Sequence, residues 1–572
     1  MKKCIPVILA IIMIIVVAWI GFGNKLIDKY SYSEEVADLD EYFGVSMPSM
    51  NGSDGNVAIM LQDELIEEQA VVIEGEVYFG LDQVKKLLND GFYVDEAERK
   101  LIYTTADDSL VAGFDERSYT TKSGVQETEY VICRKQGEKL YLAAKYVRLF
   151  TNFSYELFDR HIQLNTSWGV RDIRTVGKAT QVRVKGGIKS PILAELQEGD
   201  TVILLAELEN WSKVKTEDSI IGYVENKRLT GVDTKIEMPV NDVVPVEYAS
   251  NRMQGKVCLG WHAIGGVKGN DTLDAMIKEG VGMNVIAPTW FSFTDNDGNF
   301  RSFAKADYVK KAHEKGLKVW GVWDDFNYRN ETDTQISTFE IFSSTTKRTA
   351  LIDRMIETAL TLELDGINLD FEKITADAGP HYVQFLRELS IPCREKGIVL
   401  SVDNYMPNQG NTHYRLDVQG QVADYVILMG YDEHWHGSKD PGSVASIGFV
   451  SDGIEKTLKM VPAEKIVNAL PFYTIQWKTE GAEVTDSYVT LVNQAELVAK
   501  VDAEPVWKED LCQYYLEWEA GGVLNQIWLE EEESIKAKLN VMSAKKLGGV
   551  AVWRLGYGTR EVWQLLQLYT NM

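Results

Sequence analysis

The chain has 572 residues, a length that implies about three or four domains, and its 45% apolar content and 14 Trp are those of folded rather than disordered protein. A net charge of -26 and a pI near 4.8 exclude nucleic acid as a partner, because a binder would need a basic face to neutralise phosphates and none is visible. Five cysteines (Cys4, Cys133, Cys258, Cys393 and Cys512) lie far apart without a C-x-x-C pair, so they read as isolated buried thiols rather than a zinc site or a dense disulfide framework.

Lys2 and Lys3 precede an uncharged run from Ile5 to Phe22, about the length that crosses a bilayer as a helix. No A-x-A-like exit precedes Asn24, which favours a retained signal-anchor over residues 1–24 against a cleaved signal peptide. The short, lysine-bearing amino end stays in the cytoplasm and everything after Lys25 is expected outside, at the cell wall of a single-pass membrane protein. Residues 25–56 are acidic and polar with an Asn51-Gly52-Ser53-Asp54-Gly55 cluster, and read as a linker.

A repeat occupies residues 57–168. G-E-V-Y-F-G-L-D-Q-V from Gly75 is similar to G-E-K-L-Y-L-A-A-K-Y-V from Gly137, with Val77, Tyr78, Phe79 and Val84 answering Leu140, Tyr141, Leu142 and Val147. Each copy predicts a short strand, an amphipathic helix, an aromatic (Phe92, Tyr155) and another strand, the two copies packing as one α+β unit. This segment resembles the copper-amine-oxidase amino-terminal-like module, a stalk of bacterial surface proteins. The resemblance implies no copper, since neither copy carries a histidine cluster and only His161 is present.

Residues 169–233 hold short alternating runs split by turn signals (V-R-V-K-G-G, L-Q-E-G-D-T-V-I-L-L, N-W-S-K-V-K, I-G-Y-V), the pattern of a small β-barrel. The Gly199-Asp200 pair, Trp211 and Gly222-Tyr223-Val224 resemble a bacterial SH3-like domain, which implies either attachment to wall peptide or polysaccharide or a structural spacer. A linker with Pro239 and Pro245 covers residues 234–250.

Over residues 251–572 the period changes. Strand-like apolar runs recur at Val257 to Trp261, Met283 to Pro288, Lys318 to Trp323, Gly366 to Phe371, Ile398 to Val402, Tyr425 to Gly430, Lys465 to Pro471 and Gly549 to Trp553, most separated by helical patterns. The repeated alternation predicts a (β/α)8 TIM barrel, with an α+β insertion at about Gln476 to Glu531 between the seventh and eighth strands. An open doubly wound sheet fits less well, because no Gly-rich phosphate turn follows the first strand.

The barrel is organised around L-D-G-I-N-L-D-F-E at Leu364 to Glu372. Asn368, Asp370 and Glu372 alternate with Ile367, Leu369 and Phe371, so one face is acidic and the other apolar. With helices covering the apolar face, the carboxylates point inward and Glu372 stands at the carboxyl end of its strand, where such barrels carry their chemistry.

D-G-I-N-L-D-F-E at Asp365 to Glu372 resembles the D-G-x-D-x-D-x-E signature of glycoside hydrolase family 18, and M-G-Y-D at Met429 to Asp432 resembles its sixth-strand M-x-Y-D. Trp553 occupies the place of that family's sugar-platform tryptophan. Asn368 stands where many members have aspartate; with P-T-W-F at Pro288 and G-Y-D-E-H-W at Gly430 it points to the spore-cortex and wall-acting N-acetylglucosaminidase branch.

The resemblance implies Glu372 as proton donor, Asp370 as the group that orients the substrate's N-acetyl, and Tyr431 as its hydroxyl partner, in a retaining, substrate-assisted reaction that needs no cofactor or metal. Trp553, Asn368, Asp365, Met429, Asp432, Trp290 and Trp261 are the expected substrate-binding residues, Asn368 through a hydrogen bond to Asp370. Trp323, Tyr405 and Trp435 sit near strand ends and are further subsite candidates. His434 and His436 have no third ligand beside them and read as loop residues. The expected activity is a membrane-anchored, extracytoplasmic glycosidase cutting β-1,4-linked N-acetylglucosamine polymer, peptidoglycan in preference to chitin. The rival is a non-catalytic chitinase-like lectin, which the presence of Glu372 argues against.

Overall fold

The computed structural model describes residues 12–13, 16–17, 29–244, 246–326 and 335–571. Most of the expected signal-anchor therefore lies outside the described residues. Among the described residues no helix is long and apolar enough to cross a membrane. The chain divides into two compact units, one made of the residues up to Phe92 with Ala112–Pro245 and one of Tyr93–Val111 with Val246–Met572.

In the first unit, strands Glu76–Gly80 and Lys139–Ala143 of the two repeats pair antiparallel, with Tyr78 opposite Ala143 and Phe79 opposite Leu142. They sit in a seven-stranded sheet whose neighbours include Gly55–Leu61 and His161–Asn165. The helix after each strand is short, Leu81–Gln83 continuing into Val84–Leu88 in one copy and Ala144–Val147 in the other. The second seven-stranded sheet of this unit runs from Val170–Val176 to Leu229–Ile236 and supplies the small β domain.

The segment expected as a linker is not a free tether. Ala37 N–H donates to the Ile192 carbonyl at 2.8 Å, helix Leu39–Phe43 is capped by Asp38, and the Phe43 ring stacks on His161 with centroids 4.3 Å apart. Phe43 and Val45 lie in one core cluster with Val182, Val214 and Val224 of the small domain. The apolar residues of this stretch, among them Ala37, Leu39, Phe43 and Val45, are interspersed with acids and follow neither a sustained helical nor a strand period, so the pattern did not announce this.

In the second unit eight parallel strands close into a barrel: β1 (Val257–His262), β2 (Val285–Phe293), β3 (Lys318–Asp324), β4 (Gly366–Asp370), β5 (Val399–Tyr405), β6 (Tyr425–Met429), β7 (Ile466–Pro471) and β8 (Gly549–Trp553). Closure is made by β1, which pairs with both β2 and β8. The interior is filled by Val257, Leu259, Trp261, Trp320, Val322, Tyr425, Ile427, Val467 and Ala551, while the alternate residues Ile367, Leu369, Val402 and Leu428 pack outward under the helices. Gly366 has no side chain because a Cβ there would lie 2.5 Å from the Trp320 ring, which plugs the amino end of the barrel.

The insertion after β7 is a five-stranded antiparallel sheet with helix Leu491–Lys500, its strands spanning Tyr473–Glu480 to Val523–Leu529. Cys133, Cys258 and Cys393 are buried, and Cys512 is half-buried.

Candidate active site

Asp370 ends β4 and Glu372 follows two residues later, at the carboxyl mouth of the barrel. The Glu372 N–H donates to Asp325 Oδ1 at 3.0 Å and the Lys373 N–H to Asp325 Oδ2 at 2.8 Å, so one buried carboxylate fixes the turn that presents Glu372. The Glu372 side chain accepts a hydrogen bond from the Tyr405 hydroxyl and lies close enough to Asp370 for the two carboxyl groups to titrate together. Burial raises the Glu372 pKa above the usual carboxylate range, and the Asp325 charge adds to this.

Asp370 is raised further, first by burial and then by the charges of Glu372, Asp403, Asp324 and Asp325. Carboxyl groups this close cannot all ionise in a poorly solvated mouth, so Asp370 and Glu372 share protons rather than both carrying charge. Asp370 Oδ1 is buried and, among the described residues, has no hydrogen-bond partner. An orphaned acceptor at such a site is unusual and marks where a donor is to arrive.

Tyr431, just past β6, lies within reach of the charges of Asp370, Asp432 and Glu372, and burial pushes its hydroxyl pKa well up. Gly430 before it has no room for a side chain, as a Cβ would meet the Ala469 carbonyl at 2.5 Å. Asp432 adopts a left-handed backbone with φ 61° and accepts from the Tyr473 hydroxyl of the insertion. Trp553, ending β8, lines a cavity of about 380 Å3 together with Asp370, Asp324, Thr289, Arg301 and Arg554.

Asn368 differs from its expected bonding. Its Nδ2 donates to Asp403 Oδ1 at 2.8 Å and Ser401 Oγ at 3.0 Å, and its Oδ1 accepts from Trp261 Nε1 at 3.0 Å. It forms a neutral plug beneath the acids, fully buried, rather than a bond to Asp370. Trp261 is buried with it and supports the floor, its ring centroid 6.1 Å from that of Trp553.

Three expected binding residues lie away from the mouth or under it. Asp365 precedes β4 at the opposite, amino end, where its carboxylate takes bonds from His313 Nε2 at 2.7 Å, Lys318 Nζ at 2.8 Å and Val319 N–H at 2.9 Å. Trp290 is 1% exposed, points into the helical layer and donates to Asn270 Oδ1 at 2.9 Å. An irregularity in β2 between Thr289 and Phe291 turns it outward while Thr289 and Ser292 face the cavity. Met429 is 7% exposed and ends β6 opposite Tyr405 of β5.

Of the remaining candidates, Trp323 is buried against Phe291, Trp435 is exposed, and Tyr405 reaches Glu372. His434 Nδ1 donates to the Asp440 carbonyl and His436 pairs with Asp486; no metal-holding group of acids, cysteines and histidines occurs among the described residues.

Sequence reasoning missed Asp324, Asp325 and Asp403. Asp324 ends β3, is 6% exposed and accepts from Ser292 Oγ at 3.0 Å; burial lifts its pKa to about 7, and that of Asp325 to about 6. Asp403 is also raised by burial, against the Asn368 bond. The signal was present in S-V-D-N-Y, where Ser401, Asp403 and Tyr405 share one face of β5.

These raised groups bind protons more tightly folded than unfolded, so their stabilising protonated form is lost as pH rises from the unfolded carboxylate value of about 4 through the folded value of about 7 for Asp324. Asp324→Asn is expected to raise the melting temperature by a few degrees at about pH 8 and to leave it unchanged at about pH 3.5, as read by calorimetry.

Residues 285–558 match the family model for glycosyl hydrolases family 18, and residues 178–230 match that for the bacterial SH3 domain. The glycosylase YvbX of Bacillus subtilis (strain 168) is 25% identical over 303 residues, 50% of this chain and 85% of that protein. The cortical fragment-lytic enzyme of the same organism is 27% identical over 243 residues, 41% of this chain but only 56% of that protein. Among solved structures, the spore cortex-lytic enzyme SleL of Bacillus cereus shares the fold with a TM-score of 0.50 at 22% identity, covering 55% of this chain and 74% of that one. The chain thus combines a domain of glycosyl hydrolase family 18 with a bacterial SH3 domain, and it is a glycosidase.

Proposed function

We propose that the chain hydrolyses β-1,4-linked N-acetylglucosamine polymer of the cell wall by a retaining, substrate-assisted route. The observation that carries this reading is the orphaned, buried Oδ1 of Asp370, set between Glu372 and the cavity lined by Trp553. A sugar lying on Trp553 brings its acetamido N–H to that oxygen. Asp370 then aims the acetamido carbonyl at the anomeric carbon, and the Tyr431 hydroxyl steadies the carbonyl as positive charge develops. Glu372, protonated because of its burial, gives its proton to the leaving oxygen. The resulting oxazolinium is opened by water, which Glu372, now a carboxylate, deprotonates.

Peptidoglycan is preferred to chitin because the cortical fragment-lytic enzymes and SleL are named for the spore cortex and because a bacterial SH3 domain accompanies the barrel. The amino-terminal apolar run is proposed to hold the chain in the membrane, with the repeat module as a stalk and the barrel at the wall. The full-length chain is to be given a reporter β-N-acetylglucosaminide and purified glycan strands, with the first-formed anomer followed by NMR. Release of the β-anomer and inhibition by a thiazoline mimic of the oxazoline are expected. An initial α-anomer overturns the retaining route, and binding of the strands without turnover leaves a lectin.

A further inference from the structure

The cavity beside Asp370 contains two guanidinium groups that the proposed hydrolysis does not use. Arg301 comes from the short strand Phe300–Ser302, which pairs antiparallel with the end of β2. Its Nη2 donates to Ser292 Oγ at 3.1 Å, its guanidinium lies 5.1 Å from the Phe303 ring centroid, and its Nε is buried with no partner among the described residues. Arg554 directly follows β8; it donates to the Tyr557 hydroxyl at 2.5 Å and lies 4.4 Å from that ring's centroid.

Both cations are thus held by hydroxyl and aromatic groups, and neither forms an ion pair with a carboxylate among the described residues. The two guanidinium groups share this concave site with Asp370 and Asp324, whose carboxyl pKa values are raised by burial and so favour the protonated form, which leaves the guanidinium forks open to a carboxylate from the substrate. Asp324 feels the Arg301 charge, which works against the rise that burial causes, but the two form no ion pair; Ser292 bridges them, donating to Asp324 and accepting from Arg301.

Position decides which part of the substrate meets these groups. The cavity is walled by residues from the ends of β1, β2, β3 and β8, whereas Glu372 and Tyr405 come from the β4 and β5 side and do not line it. Asp370 and Trp553 belong to the cavity wall. A saccharide whose reacting sugar rests on Trp553, with its leaving oxygen toward Glu372, therefore sends its non-reducing part toward Arg301 and Arg554.

We propose that this cavity is a specificity subsite for a carboxylate carried by the glycan on the non-reducing side of the cleaved bond. This rests on the hydrolytic reading above and deepens it: the preferred substrate is a glycan with acidic sugars rather than a neutral one. A filled subsite there needs a sugar beyond the one that reacts, so cleavage falls within strands rather than only at their ends. Arginine suits the task because its planar fork takes a carboxylate through two parallel hydrogen bonds. The carboxylate has two chemical sources in a wall glycan, the free lactyl ether acid of a sugar or an acid of a peptide stem joined through it.

The test compares four saccharides of equal length with the full-length chain: neutral chitotetraose, the alternating N-acetylglucosamine and N-acetylmuramic acid tetrasaccharide with free lactyl groups, its methyl ester, and its stem-bearing form. kcat/KM on an acidic form is expected to exceed that on the neutral and esterified forms by about 10–100-fold, the worth of charge-assisted hydrogen bonds. Arg301→Gln and Arg554→Gln should each pull that ratio toward one, with Arg301→Lys restoring part of it. Preference for the stem-bearing form alone assigns the peptide acid, and preference for the free lactyl form assigns the sugar acid. No preference, or an equal loss on all four with the arginine variants, overturns the proposal. Calorimetric binding of the same saccharides to Glu372→Gln separates the two readings: arginine-dependent binding of acidic glycan without wild-type turnover sinks the hydrolytic reading and keeps this one, while turnover indifferent to charge does the reverse.

Discussion

Glu372→Gln is expected to lower kcat by about 10²–10⁴-fold, the usual contribution of a positioned general acid, with substrate binding and the folded circular dichroism spectrum retained. The substitution is nearly isosteric. The backbone of residue 372 stays tied to Asp325, and a glutamine oxygen can still accept from the Tyr405 hydroxyl. What is lost is a group able to release a proton to a leaving oxygen and recover it from water. The variant also removes a negative neighbour from Asp370, so the Asp370 pKa should fall toward the ordinary range and the pH profile of any residual activity should shift to the acid side. Single-turnover kinetics on a substrate with a leaving group that needs no protonation give the sharper reading. Such a substrate should recover much of the first step in Glu372→Gln, and a variant that keeps a tenth of wild-type turnover on glycan strands shows that another group is the acid.

Much of this site was legible in the chain because barrel strands impose a rule of alternation. The acids and apolar residues of β4 fell on the faces their positions dictated, and the strand runs landed within a few residues of the observed ones. Residues just past a strand were harder. Glu372 is presented by a turn whose geometry depends on Asp325, which comes from the end of another strand, and no local pattern links the two. The same limit hid Asp324 and Asp403, each at or near the end of its own strand and brought beside Asp370 only by closure of the barrel. Trp290 failed for a different reason: the predicted strand stopped at Pro288 and the tryptophan was placed just past its end, whereas β2 runs on to Phe293 and an irregularity after Thr289 turns the indole outward. Asp365 was assigned by motif membership alone, although its position before β4 already put it at the end away from the chemistry.

The repeat shows where a sequence pattern and a structural unit part company. Both copies predict a strand, helix and further strands, yet Tyr93–Val111 of the first copy belongs to the unit that contains the barrel. Its carboxylates explain this. Asp95 Oδ2 accepts from both the N–H and the hydroxyl of Thr345 at 2.7 Å, and Glu98 accepts from the Thr346 N–H at 2.8 Å, so two acids sit at the amino end of helix Thr345–Thr361. Burial works against the Glu98 charge, but bonds from Lys100, Ser344 and Thr346 outweigh it and hold the pKa near about 2. A catalytic fragment cut at residue 251 would lose these partners.

Arg348→Met is the second large effect, a loss of about 3–5 kcal/mol from the barrel unit. The Arg348 side chain is fully buried and its fork grips Glu388, with Nε to Oε2 at 2.9 Å and Nη2 to Oε1 at 3.1 Å. Nη1 adds bonds to the Phe342 carbonyl at 2.7 Å and the Tyr93 hydroxyl at 3.1 Å, and the guanidinium lies 4.7 Å from the Tyr93 ring centroid. Methionine fills the space but leaves Glu388 as an unpaired acid that is only 11% exposed, and deprives Tyr93 of its cation. The loss should appear as an earlier urea midpoint of the barrel transition and as faster amide exchange in residues 93–111 than in β4. Because the damage comes from the stranded carboxylate, Arg348→Met combined with Glu388→Leu should recover a large part of it. A single variant within about 1 kcal/mol of wild type, or a double variant no better than the single, means that the pair does not hold residues 93–111 to the helices around the barrel.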